Sequence, residues 1–296
     1  MSGKVMLFIF EGTSDNTTLA PYIDELIKEC KLSLTVEIIR GDNTSAWIEE
    51  DGKKIKDKFK WTPSTIRQDM IGLVKNHISK NSSIPDLKPK DIYKIYYVTD
   101  TDDCFQYPEM IDKVNKSRCM KSIFGFDKLK LAPNVEIPIE LIFFARDLEH
   151  VTIYNEVELT GEEKNELALK FSGDVFTTEG LFEYTFTRNG LKIWDTYSES
   201  YTGITKHVGR ACNMNNLLEE ISILRREKLE LLEKEIEEKT SEILKIKDLA
   251  TSKAKKELEK LNRQLKIKTK EKAALEQIIE KRENMLNIYL KNNPQD

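Results

Sequence analysis

Three rhythms of apolar and polar residues follow one another along this chain of 296 residues. In the first, short unbroken apolar runs alternate with stretches of helical spacing. Val5 to Phe10 has the character of a strand buried on both faces. Asn16 to Cys30 repeats Leu19, Ile23, Leu26 and Ile27 at helical intervals. Leu34 to Arg40 is a second strand-like run ending at Gly41-Asp42, and Thr62-Pro63-Ser64 opens a helix through Ile66, Met70, Leu73, Val74, His77 and Ile78. Ile92 to Val98 predicts a third strand, Pro108 to Lys116 a short helix, and Pro138 to Ala145 a further strand. This succession predicts an α/β domain over residues 1–160, an open and mainly parallel sheet with helices on both faces.

The second rhythm, over residues 161–213, is weaker. It predicts a helix from Glu162 to Phe171, then a mixed stretch with Phe176, Phe182, Tyr184, Phe186 and Trp194 and a turn at Asn189-Gly190. It reads as a helical extension or cover for the sheet. The third rhythm fills residues 214–292, which hold strong helix formers and almost no glycine or proline. Leu229, Ile236, Ile243 and Ala250 follow heptad spacing, as do Leu258, Leu265, Ile279 and Leu286 with Lys272 interrupting. The pattern predicts a coiled coil. Ala250-Thr251-Ser252-Lys253 divides it nearly evenly, which favours an antiparallel hairpin over one helix on the order of 100 Å long.

Composition narrows the class. Charged residues make up 33% of the chain, yet the formal net charge is only −4, so charge is interleaved and any basic patch is local. No run approaches the ~20 apolar residues of a membrane span, and the N-terminal run is too brief for a signal peptide. A soluble, cytoplasmic protein is expected. The four cysteines, Cys30, Cys104, Cys119 and Cys212, form no C-x-x-C pair and are read as reduced thiols.

Candidate chemistry lies just past the strand-like runs. Glu11-Gly12-Thr13-Ser14-Asp15 follows the first, and Asp100-Thr101-Asp102-Asp103 follows the third. Unpaired buried carboxylates cost several kcal/mol each, so acids at the mouths of buried strands point to a cation, and a divalent metal is the obvious one. In open α/β sheets, ligands bind beyond the carboxyl ends of the strands. Asp100 and Asp102, two apart on a strand, are expected on one side. Glu11 would bind a second ion or assist proton transfer, and Gly12 permits a tight turn or a close backbone approach. Asp15 reads equally as a ligand or as part of a helix cap, and Asp103 as a supporting acid or a cap. Glu149, past the last strand, is a further candidate ligand. Beside it His150 is a candidate for acid–base work or phosphate contact, and Arg146 for pairing with the acids or with phosphate.

With Phe8-Ile9-Phe10-Glu11-Gly12 and Tyr97-Val98-Thr99-Asp100-Thr101-Asp102, the first half of the chain resembles the TOPRIM family, whose signature is a strand ending in Glu-Gly and a later strand ending in Asp-x-Asp. The resemblance implies Mg²⁺- or Mn²⁺-dependent phosphoryl chemistry, with Glu11 as general acid or base and Asp100 and Asp102 as metal ligands. Within that family the chain looks like the OLD-type nucleases and the TOPRIM effectors of anti-phage systems such as PARIS. That implies a nuclease acting on DNA or RNA beside an ATPase, here a separate polypeptide since no G-x-x-x-x-G-K-[ST] loop is present. Asp102-Asp103-Cys104 stands where many members carry a glycine, which leaves the subfamily open. The alternative is a catalytically silent TOPRIM-like adaptor working through its coiled coil. A basic run in that segment, including Lys255, Lys256 and Arg263, suits either nucleic-acid contact or a solvated face of an assembling coiled coil, and a homodimer is expected.

Overall fold

A computed structural model of the chain describes residues 4–29, 34–41, 43–44, 46–102, 104–105, 107, 109–145, 147–152, 159–187, 211–247 and 252–293. Strand β1 (Lys4–Phe10) runs into helix α1 (Thr13–Glu29), and the chain returns in β2 (Leu34–Arg40). A two-stranded ribbon, β3 (Trp47–Glu50) and β4 (Lys53–Phe59), precedes α2 (Ile66–Asn76) and β5 (Ile92–Asp100). Then come α3 (Ile111–Phe124), β6 (Lys128–Ala132), β7 (Val135–Ala145), the short α4 (Leu148–Thr152), α5 (Gly161–Thr177) and α6 (Leu181–Thr187). The last elements are β8 (Ala211–Cys212), the long helices α7 (Met214–Lys247) and α8 (Ser252–Glu283), and α9 (Met285–Asn292).

The main sheet has the order β2-β1-β5-β7-β6, with β8 paired to the end of β7. Its first four strands are parallel, and β6 and β8 run antiparallel to β7. Because β1 is central, every residue from Val5 to Phe10 is buried. Alternation divides the core into two layers. Met6, Phe8, Phe10, Tyr96, Val98, Ile142 and Phe144 meet residues of α1, α5, α6 and the start of α7. On the opposite face, Leu7, Ile9, Ile95, Tyr97, Leu141 and Phe143 meet residues of α2 and α3. An α/β architecture with helices on both faces is what the periodicity predicted.

Several details differ from the sequence expectation. The β3–β4 ribbon was not anticipated, although Asp51-Gly52 is a hairpin turn signal and both residues adopt positive φ, +53° and +73°. The helix expected over Pro108 to Lys116 occupies Ile111–Phe124, and the one expected over Glu162 to Phe171 continues to Thr177. Phe171, Phe182 and Phe186 join the core shared with β1 and α1. His77, at the end of the helical stretch through Ile66 and Val74, hydrogen-bonds buried Glu37 at 2.9 Å. The Asn189-Gly190 turn, Trp194 and His207 lie outside the described residues.

Helices α7 and α8 lie against each other with opposite polarity. Lys239 pairs with Gln264 at 3.0 Å, Glu235 with Lys268 at 3.0 Å, Glu233 with Lys272 at 3.1 Å and Arg226 with Glu283 at 2.6 Å, so partners ascend one helix as they descend the other. Lys272, which interrupts the apolar line, is thus used in an ion pair. The direction of α7 is fixed by its contacts with the sheet. Cys212, just before it, pairs with Phe144 at the carboxyl end of β7, whereas Glu220 accepts hydrogen bonds from Lys94 and, at 2.7 Å, from the Tyr96 hydroxyl, nearer the start of β5. The two helices therefore project from the amino edge of the sheet, and at 1.5 Å per residue Lys247 lies about 40 Å beyond Glu220. Buried Arg282 ties their base to the α/β body through Glu29 at 2.7 Å, the Tyr22 hydroxyl at 2.7 Å and Glu183 at 3.1 Å.

Candidate metal centre at the carboxyl edge of the sheet

Register brings the acidic segments together. Phe10 pairs with Val98 and the Glu11 amide donates to the Val98 carbonyl at 3.0 Å, so Glu11 leaves β1 beside the end of β5. Asp100 pairs with Phe144, which puts the ends of β5 and β7 level and α4, carrying Glu149, next to both. Three adjacent parallel strands thus deliver their acids to one edge.

Each side chain is held there for a local reason. Glu11 is buried and accepts hydrogen bonds from the Thr44 and Thr99 hydroxyls, one on each carboxylate oxygen. Asp15 is only 1% exposed and lies in the first turn of α1, where its Oδ2 accepts the Gly12 amide at 3.3 Å. This is the reach-back contact of a capping box, so Asp15 closes the helix end while belonging to the acidic cluster. Gly12 makes the contact possible, since a Cβ there would stand 2.8 Å from that oxygen. Asp102 is not placed by strand alternation as expected, because β5 ends at Asp100. A left-handed turn at Asp102, φ +43°, swings the chain out of the strand. Aspartate tolerates that conformation better than most residues.

Between Glu11 and Asp102 stands a buried cation that the acidic motifs did not announce. Lys116 of α3 is 2% exposed, and its Nζ lies 2.5 Å from Asp102 Oδ2 and 3.2 Å from Glu11 Oε2. The signal was present. Lys116, Cys119, Met120 and Ile123 follow helical spacing on the buried face of α3, and a charge on such a face needs a partner. Its neighbour Asn115 donates to the carbonyls of Thr44 at 2.8 Å and Trp61 at 3.0 Å, tying the loop that carries Thr44 to α3. Lys113 donates to the Asp102 carbonyl, and Lys164 of α5 lies 3.4 Å from Asp147 and 3.7 Å from Glu149.

The carboxylates sense one another. Burial, then Glu149 and Glu11, push Asp15 up to about 7 against the opposing pull of Lys116. Burial, with Asp15, Asp102 and Glu149, raises Asp100 well above the usual carboxylate range. Burial also raises Glu149, opposed by Lys164. At Asp102 burial works against ionisation, but Lys116 and Lys113 outweigh it and hold the group below its ordinary value. Burial alone would favour a neutral Lys116 amine; Glu11, Asp102 and Asp100 reverse this and raise it well above the usual lysine value.

Five acids meeting here, Glu11, Asp15, Asp100, Asp102 and Glu149, exceed the positive charge beside them. Asp100 Oδ1 and both carboxylate oxygens of Glu149 are buried without a hydrogen-bond partner among the described residues. An all-oxygen donor set with such orphaned atoms fits a hard divalent cation. Among the described residues, no three His, Cys, Asp or Glu side chains already stand in ligating positions, so Asp15, Asp100 and Glu149 would have to close on the ion. Asp103, Arg146 and the side chain of His150 lie outside the described residues. Lys255, Lys256 and Arg263 are exposed on α8, in the projecting helix pair and away from the carboxylates.

No family model, curated protein or solved structure matches the chain. Among the described residues, no helix is long and apolar enough to cross a membrane.

Proposed function

We propose that the protein is a TOPRIM-like, Mg²⁺- or Mn²⁺-dependent nuclease with its centre at the carboxyl edge of the sheet. The observation that carries the reading is that buried carboxylate oxygens of Asp100, at the end of β5, and Glu149, on α4, have no hydrogen bond among the described residues while lying beside Asp15, the nearest cation to Glu149 being Lys164 at 3.7 Å. Asp15, Asp100 and Glu149 would hold the cation. A divalent ion bound there supplies Lewis acidity toward a phosphoryl oxygen and makes a coordinated water more acidic. Lys116 orients Glu11 and Asp102 and keeps Asp102 ionised, and Thr44 and Thr99 fix the rotamer of Glu11, whose carboxylate is the group suited to proton transfer. The reading extends to a defence effector working beside a separate ATPase, with the α7–α8 coiled-coil hairpin as its dimerisation or docking surface. Cleavage of plasmid DNA and of transfer RNA in Mg²⁺ or Mn²⁺ tests it. The wild type should cut one of them, and folded Glu11→Gln and Asp100→Asn variants should lose at least about a hundredfold in rate. Full activity in either variant would overturn the site.

Lys116 itself favours a second reading. An ammonium already bridges Glu11 and Asp102, as it would in a silent TOPRIM-like adaptor acting through its helix pair. Calorimetry with Mn²⁺ separates the two, because carboxylate-dependent binding supports the nuclease and its absence supports the adaptor.

A further inference from the structure

The β3–β4 ribbon carries a charge pattern that the fold does not use. Its inner side is closed by Phe59, buried and 4.6 Å from the Trp47 ring centre, with Ile55 half-buried on the same side of β4. Lys54, Lys56 and Lys58 of that strand and Lys60 just past it are all exposed, and the ribbon register shifts between the Glu49–Lys54 and Trp47–Phe59 pairs, so they form a cluster along the irregular strand. None has a carboxylate within ion-pairing distance among the described residues, although Glu49 stands opposite Lys54 in the ribbon register. Stability gives no account of such a cluster, since neighbouring like charges repel.

The foot of the ribbon is fastened to the acidic edge. Lys60 donates its amide to the Ala46 carbonyl at 3.2 Å, and the flanking Thr44 and Trp61 carbonyls both accept from Asn115, next to Lys116. Thr44 in turn hydrogen-bonds Glu11. A polyanion lying along the lysines would therefore run toward Glu11. The acidic cluster by itself repels that polyanion, so a basic track beside it supplies the missing attraction. The exposed cations of α8 do not meet this need, because α7 carries that helix pair toward the opposite edge of the sheet.

We infer that the β3–β4 ribbon is a nucleic-acid-binding arm that holds one sugar–phosphate backbone on Lys54, Lys56, Lys58 and Lys60 and leads it to the carboxylate centre. The inference rests on the nuclease reading for its purpose, but its test measures binding without cleavage. Fluorescence anisotropy is followed with labelled single-stranded and duplex oligonucleotides of DNA and of RNA, in EDTA, across a range of salt concentrations. Lysine-to-glutamine replacement at all four positions should weaken binding at least tenfold and flatten the dependence of log K on log salt by about 3. Replacement of the same four by arginine should retain binding, which separates lost charge from lost fold. Wild-type affinity and salt slope in the glutamine variant would overturn the arm. So would loss of binding in a Lys255→Gln, Lys256→Gln, Arg263→Gln variant alone, or equal binding of polyglutamate and oligonucleotide by the wild type. Mn²⁺ calorimetry on the same glutamine variant keeps the two ideas apart. Retained cation binding with unchanged oligonucleotide affinity rejects the arm alone, whereas absent cation binding in the wild type rejects the nuclease centre.

Discussion

Replacing Lys116 with methionine removes an ammonium from a site where the residue is 2% exposed and keeps an unbranched chain of similar length. Two carboxylates lose their partner: Asp102 at 2.5 Å and Glu11 at 3.2 Å. Removing one member of a buried ion pair costs about 3–5 kcal/mol, because the other is left charged away from water. The Asp102 side chain is 42% exposed, so solvent recovers much of its share, and buried Glu11 sets the loss near the lower end, about 3 kcal/mol. At about 2 °C per kcal/mol for a large domain, the metal-free variant should melt about 6 °C below the wild type at alkaline pH.

The deficit should shrink in acid. Asp15 and Asp100 have folded-state pKa values raised above the unfolded value, to about 7 for Asp15. Each contributes stability that is fully present below the unfolded carboxylate pKa and is lost as pH rises through the folded one. Lys116 pulls both values down, so without it the decline between about pH 4 and pH 8 steepens. Millimolar Mg²⁺ or Mn²⁺ should restore most of the lost melting temperature at alkaline pH and little in acid, where protons compete for the same oxygens. Scanning calorimetry of both proteins with and without metal checks all three statements. A metal-free Lys116→Met protein that melts within about 1 °C of the wild type at pH 8 would refute the electrostatic argument.

Two glycine substitutions test close approaches elsewhere. Gly12→Ala puts a Cβ 2.8 Å from Asp15 Oδ2 and should displace that carboxylate, lowering Mn²⁺ affinity at least about tenfold in calorimetry while changing unfolding free energy by only about 1 kcal/mol. Gly180→Ala combines φ +80° with a Cβ 2.2 Å from the Met285 carbonyl oxygen. It should cost at least about 3 kcal/mol in urea unfolding and loosen α9 from α6, where Tyr184 stacks on Tyr289; a loss under about 1 kcal/mol would contradict the packing.

How much of the site could be read in advance follows from the range of each signal. Glu11 and Asp100 were legible because each directly follows an apolar run, and the run itself dictates a buried strand whose end must carry them. Asp15 was ambiguous for a reason the structure explains, since one carboxylate both closes α1 and enters the cluster. Asp102 reaches the acidic edge through a left-handed turn rather than through the strand alternation expected for it. Lys116 carried a mark in its helical spacing with Cys119, Met120 and Ile123, but its partners are distant in sequence, and Thr44 and Thr99 carried no periodic mark at all. The β3–β4 ribbon was passed over because its lysine-rich second strand has only Ile55 and Phe59 to betray its alternation.

By itself the sequence determined the alternation of strands and helices, the mainly parallel sheet with helices on both faces, the acids at its carboxyl edge and the long polar helices. These follow from local periodicity, in which each residue's environment is set by its neighbours along the chain. Tertiary structure alone decided which cation stands among the acids, which carboxylate oxygens are left without a partner, and which edge of the sheet the helix pair leaves. Those depend on strand order and register, which bring Glu11 beside Thr99 and Lys116 across about a hundred residues of intervening chain, and on burial, which turns a cluster of ordinary acids into one that holds protons or requires a cation.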